Sequence, residues 1–141
     1  PRSQPGTVNA AGAAGLHAAI DYVRNVGFDR MRTREHELTA RAMDGLKKLP
    51  YVHILGSEKP EEHTGIVTFT IDGVHPHDIS EILASDGVDI RAGHHCAQPL
   101  LQHLGLNSTV RASIAFYNTA EEIDRLVESV STVRERMGYG K

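Results

Sequence analysis

Apolar and polar residues follow two different periods along this chain, and the switches between them outline its elements. From 10 to 25, Ala14, Ala18 and Val23, with Leu16, Ile20 and Tyr22 between them, predict a mostly buried helix. Asn9 is placed to cap its start and Gly27 to end it. A second helix is expected over 29–48, with Leu38, Ala42, Leu46 and Leu49 inward and Arg32, Arg34, Glu35, Glu37 and Arg41 facing water. Asp29 near its positive end and Lys47 and Lys48 near its negative end suit the helix dipole, and Pro50 stops it. Residues 52–55 read as a short strand and 56–64 as a polar loop.

The period then falls to two. Residues 65–71, Gly-Ile-Val-Thr-Phe-Thr-Ile, alternate apolar with polar and are rich in β-branched side chains, so they predict a strand that Asp72-Gly73 closes. A short helix over 77–85 carries Ile79, Ile82 and Leu83 on one face and ends at Gly87. A strand over 88–91, a short helix over 98–104 and a strand over 109–116 follow, the last with Val110, Ala112, Ile114 and Phe116 on one side. Thr119 and Glu122 form a capping-box pattern for a final helix, whose stripe is Ile123, Leu126, Val127, Val130 and Val133 and which ends at Gly138. Helices mixed with several short strands argue an α+β fold, a two-layer α/β sandwich with helices on one face of a mostly antiparallel sheet. There are no internal repeats and no low-complexity tract.

Composition narrows the range of functions. A chain of 141 residues with 40% hydrophobic and 23% charged content suits one soluble core. A net charge of −3 with no obviously basic face gives no electrostatic case for nucleic acid or an anionic membrane. One cysteine cannot make an internal disulfide, and no stretch has the layout of a membrane span or a signal peptide, so the cytoplasm is the expected compartment. The start in Pro-Arg-Ser-Gln-Pro-Gly, without a Met, points to a piece of a longer polypeptide.

The candidate chemistry gathers in one run. Arg91-Ala92-Gly93-His94-His95-Cys96-Ala97-Gln98-Pro99 holds the only cysteine of the chain, two adjacent histidines and an arginine five positions before the sulfur. It reads as a reactive-thiol loop, in which Arg91, His94 and His95 are candidates for stabilising a thiolate. Gly93 permits backbone angles that a side chain forbids, and Pro99 fixes φ where the next turn or helix begins. Two other readings stand beside it. A lone cysteine is often a small buried hydrophobe. The nine histidines keep zinc in view, although consecutive His-His-Cys lacks the intervals that let two ligands reach one ion.

The run RAGHHCAQP, followed by TVRASIAFYNTAEEIDRLV with Arg111 fifteen positions after Cys96, resembles the C-terminal part of a SufS-type (group II) cysteine desulfurase of the aminotransferase class V family. The resemblance runs from Gly6-Thr7 to the last helix and covers about the final third of such an enzyme. It implies the small C-terminal domain of a fold type I enzyme that depends on pyridoxal 5′-phosphate. Residues 1–28 would then be the end of a large-domain segment with a connecting helix, and 29–141 the small domain with the cysteine loop.

The same resemblance implies roles for residues. Cys96 would attack the sulfur of L-cysteine, giving alanine and a persulfide for iron-sulfur cluster assembly. Arg111 would grip the substrate carboxylate, with Arg91 and His94 shaping the thiol's surroundings. Gly6 and Thr7 would bind the cofactor phosphate of the opposite subunit of a homodimer. His77 would meet a sulfur acceptor of the SufU type, SufE being the other acceptor in view. No metal site is expected in the chain itself. The lysines, Lys47, Lys48, Lys59 and Lys141, lie outside the family's cofactor-lysine context, so the chain alone is expected to be inactive. A selenocysteine lyase or cysteine sulfinate desulfinase, and a stand-alone persulfide carrier or protein-binding module, remain the alternatives.

Overall fold

The alternation in Ile66–Ile71 (β2) puts Val67, Phe69 and Ile71 on one side of a strand, and that side faces the core. Val52–Leu55 (β1) pairs antiparallel with β2 in the register Val52↔Ile71 and Ile54↔Phe69. Thr109–Ser113 (β4) pairs on β2's other side, Phe69 facing Val110 and Val67 facing Ala112. Arg91–Gly93 (β3) closes the far edge against β4. The result is a four-stranded, wholly antiparallel sheet of order β1-β2-β4-β3 in a computed structural model that describes residues 9–139.

Helices cover the core side of this sheet. Phe28–Leu46 (α2) brings Leu38, Ala42, Met43 and Leu46 to it. Pro76–Ser85 (α3) contributes Ile79 and Leu83, and Ala120–Arg136 (α5) contributes Ile123, Leu126, Val130 and Val133. Each such aliphatic or aromatic side chain, fully buried, contributes roughly 1.5–3 kcal/mol relative to exposure. Gly45 lets α2 and α5 come close, since a Cβ there would meet Val127 Cγ2 at 2.6 Å. Where the helices touch at the surface, Arg41 holds Asp124 through two hydrogen bonds of 2.6 Å. The α+β sandwich, with its helices on one face, is therefore as the sequence suggests.

Several local expectations change. The helix Ala10–Val26 (α1) forms and Asn9 caps it, its Oδ1 accepting from the Gly12 N–H at 2.9 Å, but none of its residues is buried. Leu16 is 64% exposed and Tyr22 58%, because nothing among the described residues lies over the stripe. Arg34 and Glu35 are half-buried rather than solvated, since Glu35 accepts from the Phe116 N–H at 3.3 Å and Arg34 reaches the Asn118 carbonyl. The strand expected over 88–91 begins only at Arg91, because residues 88–90 diverge from β4 beside the start of α5. The strand expected over 109–116 ends at Ser113, where Asn118 turns the chain: its Oδ1 accepts from Ala115 N–H at 2.8 Å and its own N–H donates to the Ala115 carbonyl at 2.9 Å. Thr119 and Glu122 then form the capping box at the start of α5. Among the described residues no helix is long and apolar enough to cross a membrane.

Candidate active site

Gly93 ends β3 at φ +135°, and the chain turns sharply toward the short helix Gln98–His103 (α4). The Ala97 N–H donates to the His94 carbonyl at 2.8 Å, which leaves His95 and Cys96 as the two central residues of the turn. Their φ values are 53° and 59°, the sign pattern of a type I′ turn, which Asn and Gly normally supply. Among the described residues they are the only non-glycines with positive φ. Left-handed backbone costs an L-residue roughly 1–2 kcal/mol. The turn therefore persists only because neighbouring contacts hold it. Its product is a free, exposed thiol at Cys96.

His95 folds back onto the sheet. Its Nε2 lies 3.1 Å from Thr109 Oγ1, a fully buried hydroxyl at the first position of β4. Burial, and after it the charge of Arg111, hold this imidazole below its ordinary pKa, with a hydrogen bond to the Thr109 backbone opposing them and Arg91 and His94 acting in the same direction as Arg111. A neutral ring supplies no positive charge to a thiolate. The sequence placed His95 with the cationic neighbours of the sulfur, and the structure instead makes it a link between the turn and β4. His94 is the exposed first residue of the turn.

Arg91 and Arg111 are neighbouring positive charges on the sheet itself. They are direct cross-strand partners in the β3–β4 register, and Thr68 faces Arg111 from β2. The opposite phase of Val110 and Ala112, which point into the core, puts both arginines on the face of the sheet away from the core helices. Like charges directly opposite one another on a sheet cost up to about 1 kcal/mol. Arg111 is half-buried and its Nε is buried without a hydrogen-bond partner, a deficit of about 1–3 kcal/mol. Among the described residues no carboxylate pairs with either arginine. A bound anion relieves both costs, and a planar guanidinium suits a carboxylate best.

The remaining sequence candidates are distributed differently. His77 is exposed near the start of α3, its N–H donating to His75 Nδ1 at 3.3 Å and its ring stacked on that of His75 at 5.5 Å. Gly6 and Thr7 lie outside the described residues. Thr109 is the site residue that sequence reasoning missed; its one signal was a hydroxyl in phase with Arg111 on the outer side of a strand. No group of three His, Cys, Asp or Glu side chains among the described residues is arranged to hold a metal ion.

Pyridoxal phosphate, the cofactor that the resemblance implies, needs a lysine. Lys47 donates to the Glu58 carbonyl at 2.6 Å, and Lys59 pairs with Glu62 at 3.4 Å. Lys48 follows α2 beside Asp44 and Leu49. None of the three is on β3, β4 or the connection between them. The described residues thus offer two unpaired guanidiniums and a thiol but do not fit the cofactor's own attachment.

Comparison with known proteins identifies the family. Residues 2–126 match the aminotransferase class-V family. The chain is 45% identical over 134 residues to a probable cysteine desulfurase of Halalkalibacterium halodurans, covering 95% of this chain and 32% of that protein. Its fold superposes on the apo cysteine desulfurase of Thermococcus onnurineus with a TM-score of 0.88 and 38% identity, over 94% of this chain and 33% of the other. The cysteine desulfurase CsdA of Escherichia coli, in an S-sulfonic acid form, gives a TM-score of 0.83 and 35% identity over 96% and 34%. The chain spans about a third of the length of these relatives. By fold and by sequence, this chain belongs to the aminotransferase class-V family.

Proposed function

We propose that this chain is the part of a pyridoxal phosphate-dependent cysteine desulfurase that carries the sulfur nucleophile. One observation supports this most: an exposed thiol at Cys96 on a turn linked to the strand that bears Arg111, a half-buried guanidinium without a counter-ion. On this reading L-cysteine binds with its carboxylate on the Arg111 guanidinium and its sulfur toward Cys96. Arg91 adds a second positive charge, and His94 flanks the thiol. The Cys96 thiolate attacks the substrate sulfur, so that an S–S bond forms as the C–S bond breaks, leaving alanine and a persulfide. Positioning of the two sulfurs is this chain's contribution. The cofactor, when bound, supplies the electron sink that weakens the C–S bond.

Further assignments belong to the same proposal. The cofactor lysine lies elsewhere on the polypeptide. Gly6 and Thr7 contact the cofactor phosphate of the opposite subunit in a homodimer. Residues 1–28 end the large domain and connect it to the small domain of 29–141, a reading supported by the exposed apolar side chains of α1 and by Phe28. The enzyme is of the SufS type, works in the cytoplasm, and passes sulfur to an acceptor of SufU or SufE type for iron-sulfur assembly, with His77 at that contact.

Intact-mass measurement of the complete enzyme, loaded with cofactor and given L-cysteine, tests the core of this reading. A reducible gain of about 32 Da, with matching alanine and both lost in Cys96→Ala, is the expected result. In the same assay Arg111→Lys raises KM for L-cysteine, because an ammonium cannot reproduce a bidentate grip. A wild-type enzyme that forms neither alanine nor persulfide refutes the proposal.

A further inference from the structure

The left-handed pair His95 and Cys96 needs something to hold it, and two hydrogen bonds of the turn bear on that. One, from Ala97 N–H to the His94 carbonyl, closes the turn on itself. It says nothing about where the turn sits on the sheet. The other, between His95 Nε2 and Thr109 Oγ1, ties the turn to β4 two residues before Arg111, on the same face of the strand. Gly93 faces Thr109 across the β3–β4 ladder, so no side chain of β3 stands directly opposite that hydroxyl. Thr109 is fully buried and its hydroxyl has the half-buried His95 as its partner, so the link is partly withdrawn from water.

We propose that His95 and Thr109 form a clasp that sets the distance and direction of the Cys96 sulfur relative to Arg111, making both of them positioning residues for sulfur transfer. The proposal rests on the desulfurase reading given above. Its physical basis is that the two ends of one small substrate must be met at once. Arg111 takes the carboxylate and Cys96 takes the sulfur, and these lie only a few bonds apart. A nucleophile on a strained, exposed turn meets that demand only if the turn is referenced to the strand that holds the other end. The bond requires one hydrogen, carried either by the ring or by the hydroxyl, and a neutral imidazole serves in both cases. A charged His95 would instead sit beside Arg111, and the burial and charges described above disfavour that charged form.

The test uses the complete cofactor-loaded enzyme with Thr109→Val, which keeps the size and β-branching of the side chain and removes only its hydroxyl. We expect kcat for alanine formation to fall about 10- to 100-fold. KM for L-cysteine should stay within about twofold, because the carboxylate grip is untouched. Thr109→Ser, which restores the hydroxyl, recovers most of the loss. His95→Phe, approached from the other side, loses a similar factor, and the double variant loses little more than either single one, as for two halves of one interaction. Backbone amide exchange at residues 94–97 quickens in Thr109→Val and His95→Phe and slows again in Thr109→Ser, while exchange in β2 is unchanged. An unaltered kcat, a loss carried by KM alone, or two fully additive losses would overturn the clasp. Wild-type enzyme that makes no alanine would instead sink the desulfurase reading on which it rests, so the two failures are distinct.

Discussion

Gly65 stands at the entrance to β2 with φ +71°, and a Cβ built there would lie directly against the Ile114 carbonyl oxygen, inside the 3.0 Å that real Cβ atoms keep. The same two residues already share a short bond, Ile114 N–H to the Gly65 carbonyl at 2.6 Å, so the backbones cannot separate without losing it. Gly65→Ala therefore adds three costs. Left-handed backbone takes about 1–2 kcal/mol. Overpacking against a carbonyl that cannot rotate away takes about 1–3 kcal/mol. The weakened hydrogen bond takes about 1 kcal/mol more. Gly73→Ala is the control, with φ +76° and nothing within 4 Å of its Cβ, so it carries the backbone cost alone. The two variants should differ by about 2–4 kcal/mol, which in urea, at an m-value near 2 kcal/mol/M, separates their midpoints by roughly 1–2 M. Equal losses in Gly65→Ala and Gly73→Ala would refute the argument from the Ile114 contact.

Two further outcomes are expected. Asp86 accepts hydrogen bonds from Ser129 and Arg136, and these hold its carboxyl below the usual carboxylate range. A depressed folded-state pKa gives stability that is present above about pH 4 and lost as pH falls through the folded value, so Asp86→Asn should flatten the acid limb of the stability profile below that pH. An acid limb identical to that of the native chain would contradict it. For sulfur transfer, His77→Ala in the complete enzyme should weaken binding of a zinc-loaded SufU-type acceptor while leaving alanine formation per persulfide unchanged; unaltered affinity and transfer would dismiss the role.

The elements that could be read from the chain are those whose signals are local. The capping box at Thr119 and Glu122 fixes the start of α5, and the bounds of β1 follow from Pro50 on one side and Gly56 on the other. What escaped was set by partners distant in sequence. Apolar spacing in α1 shows that a face exists but not what lies over it, and its exposure contradicts the burial that the pattern suggests. Val88 and Ile90 have strand-forming side chains, yet a strand also needs a neighbour, and β4 pairs only with 91–93. The site divides in the same way. Cys96 and Arg111 are visible as residue types in a recognisable spacing, whereas the link from His95 to Thr109 spans fourteen positions and depends on a left-handed turn that two ordinary residues give no reason to expect.

The cross-strand pair Arg91 and Arg111 gives β3 a particular standing. With three residues, it is an edge strand held to the sheet against its own electrostatics. It is the shortest seam of the sheet, with three register pairs against four in each of the others, and the seam runs through the place where an anion would sit. Occupancy and edge order then rise together by linkage: an anion that bridges the two guanidiniums mends the ladder, and a well-formed ladder offers the anion a better seat. An anion bound at this face would thus leave its mark on the fold, since every increment of binding there would also be an increment of cohesion at the sheet's margin.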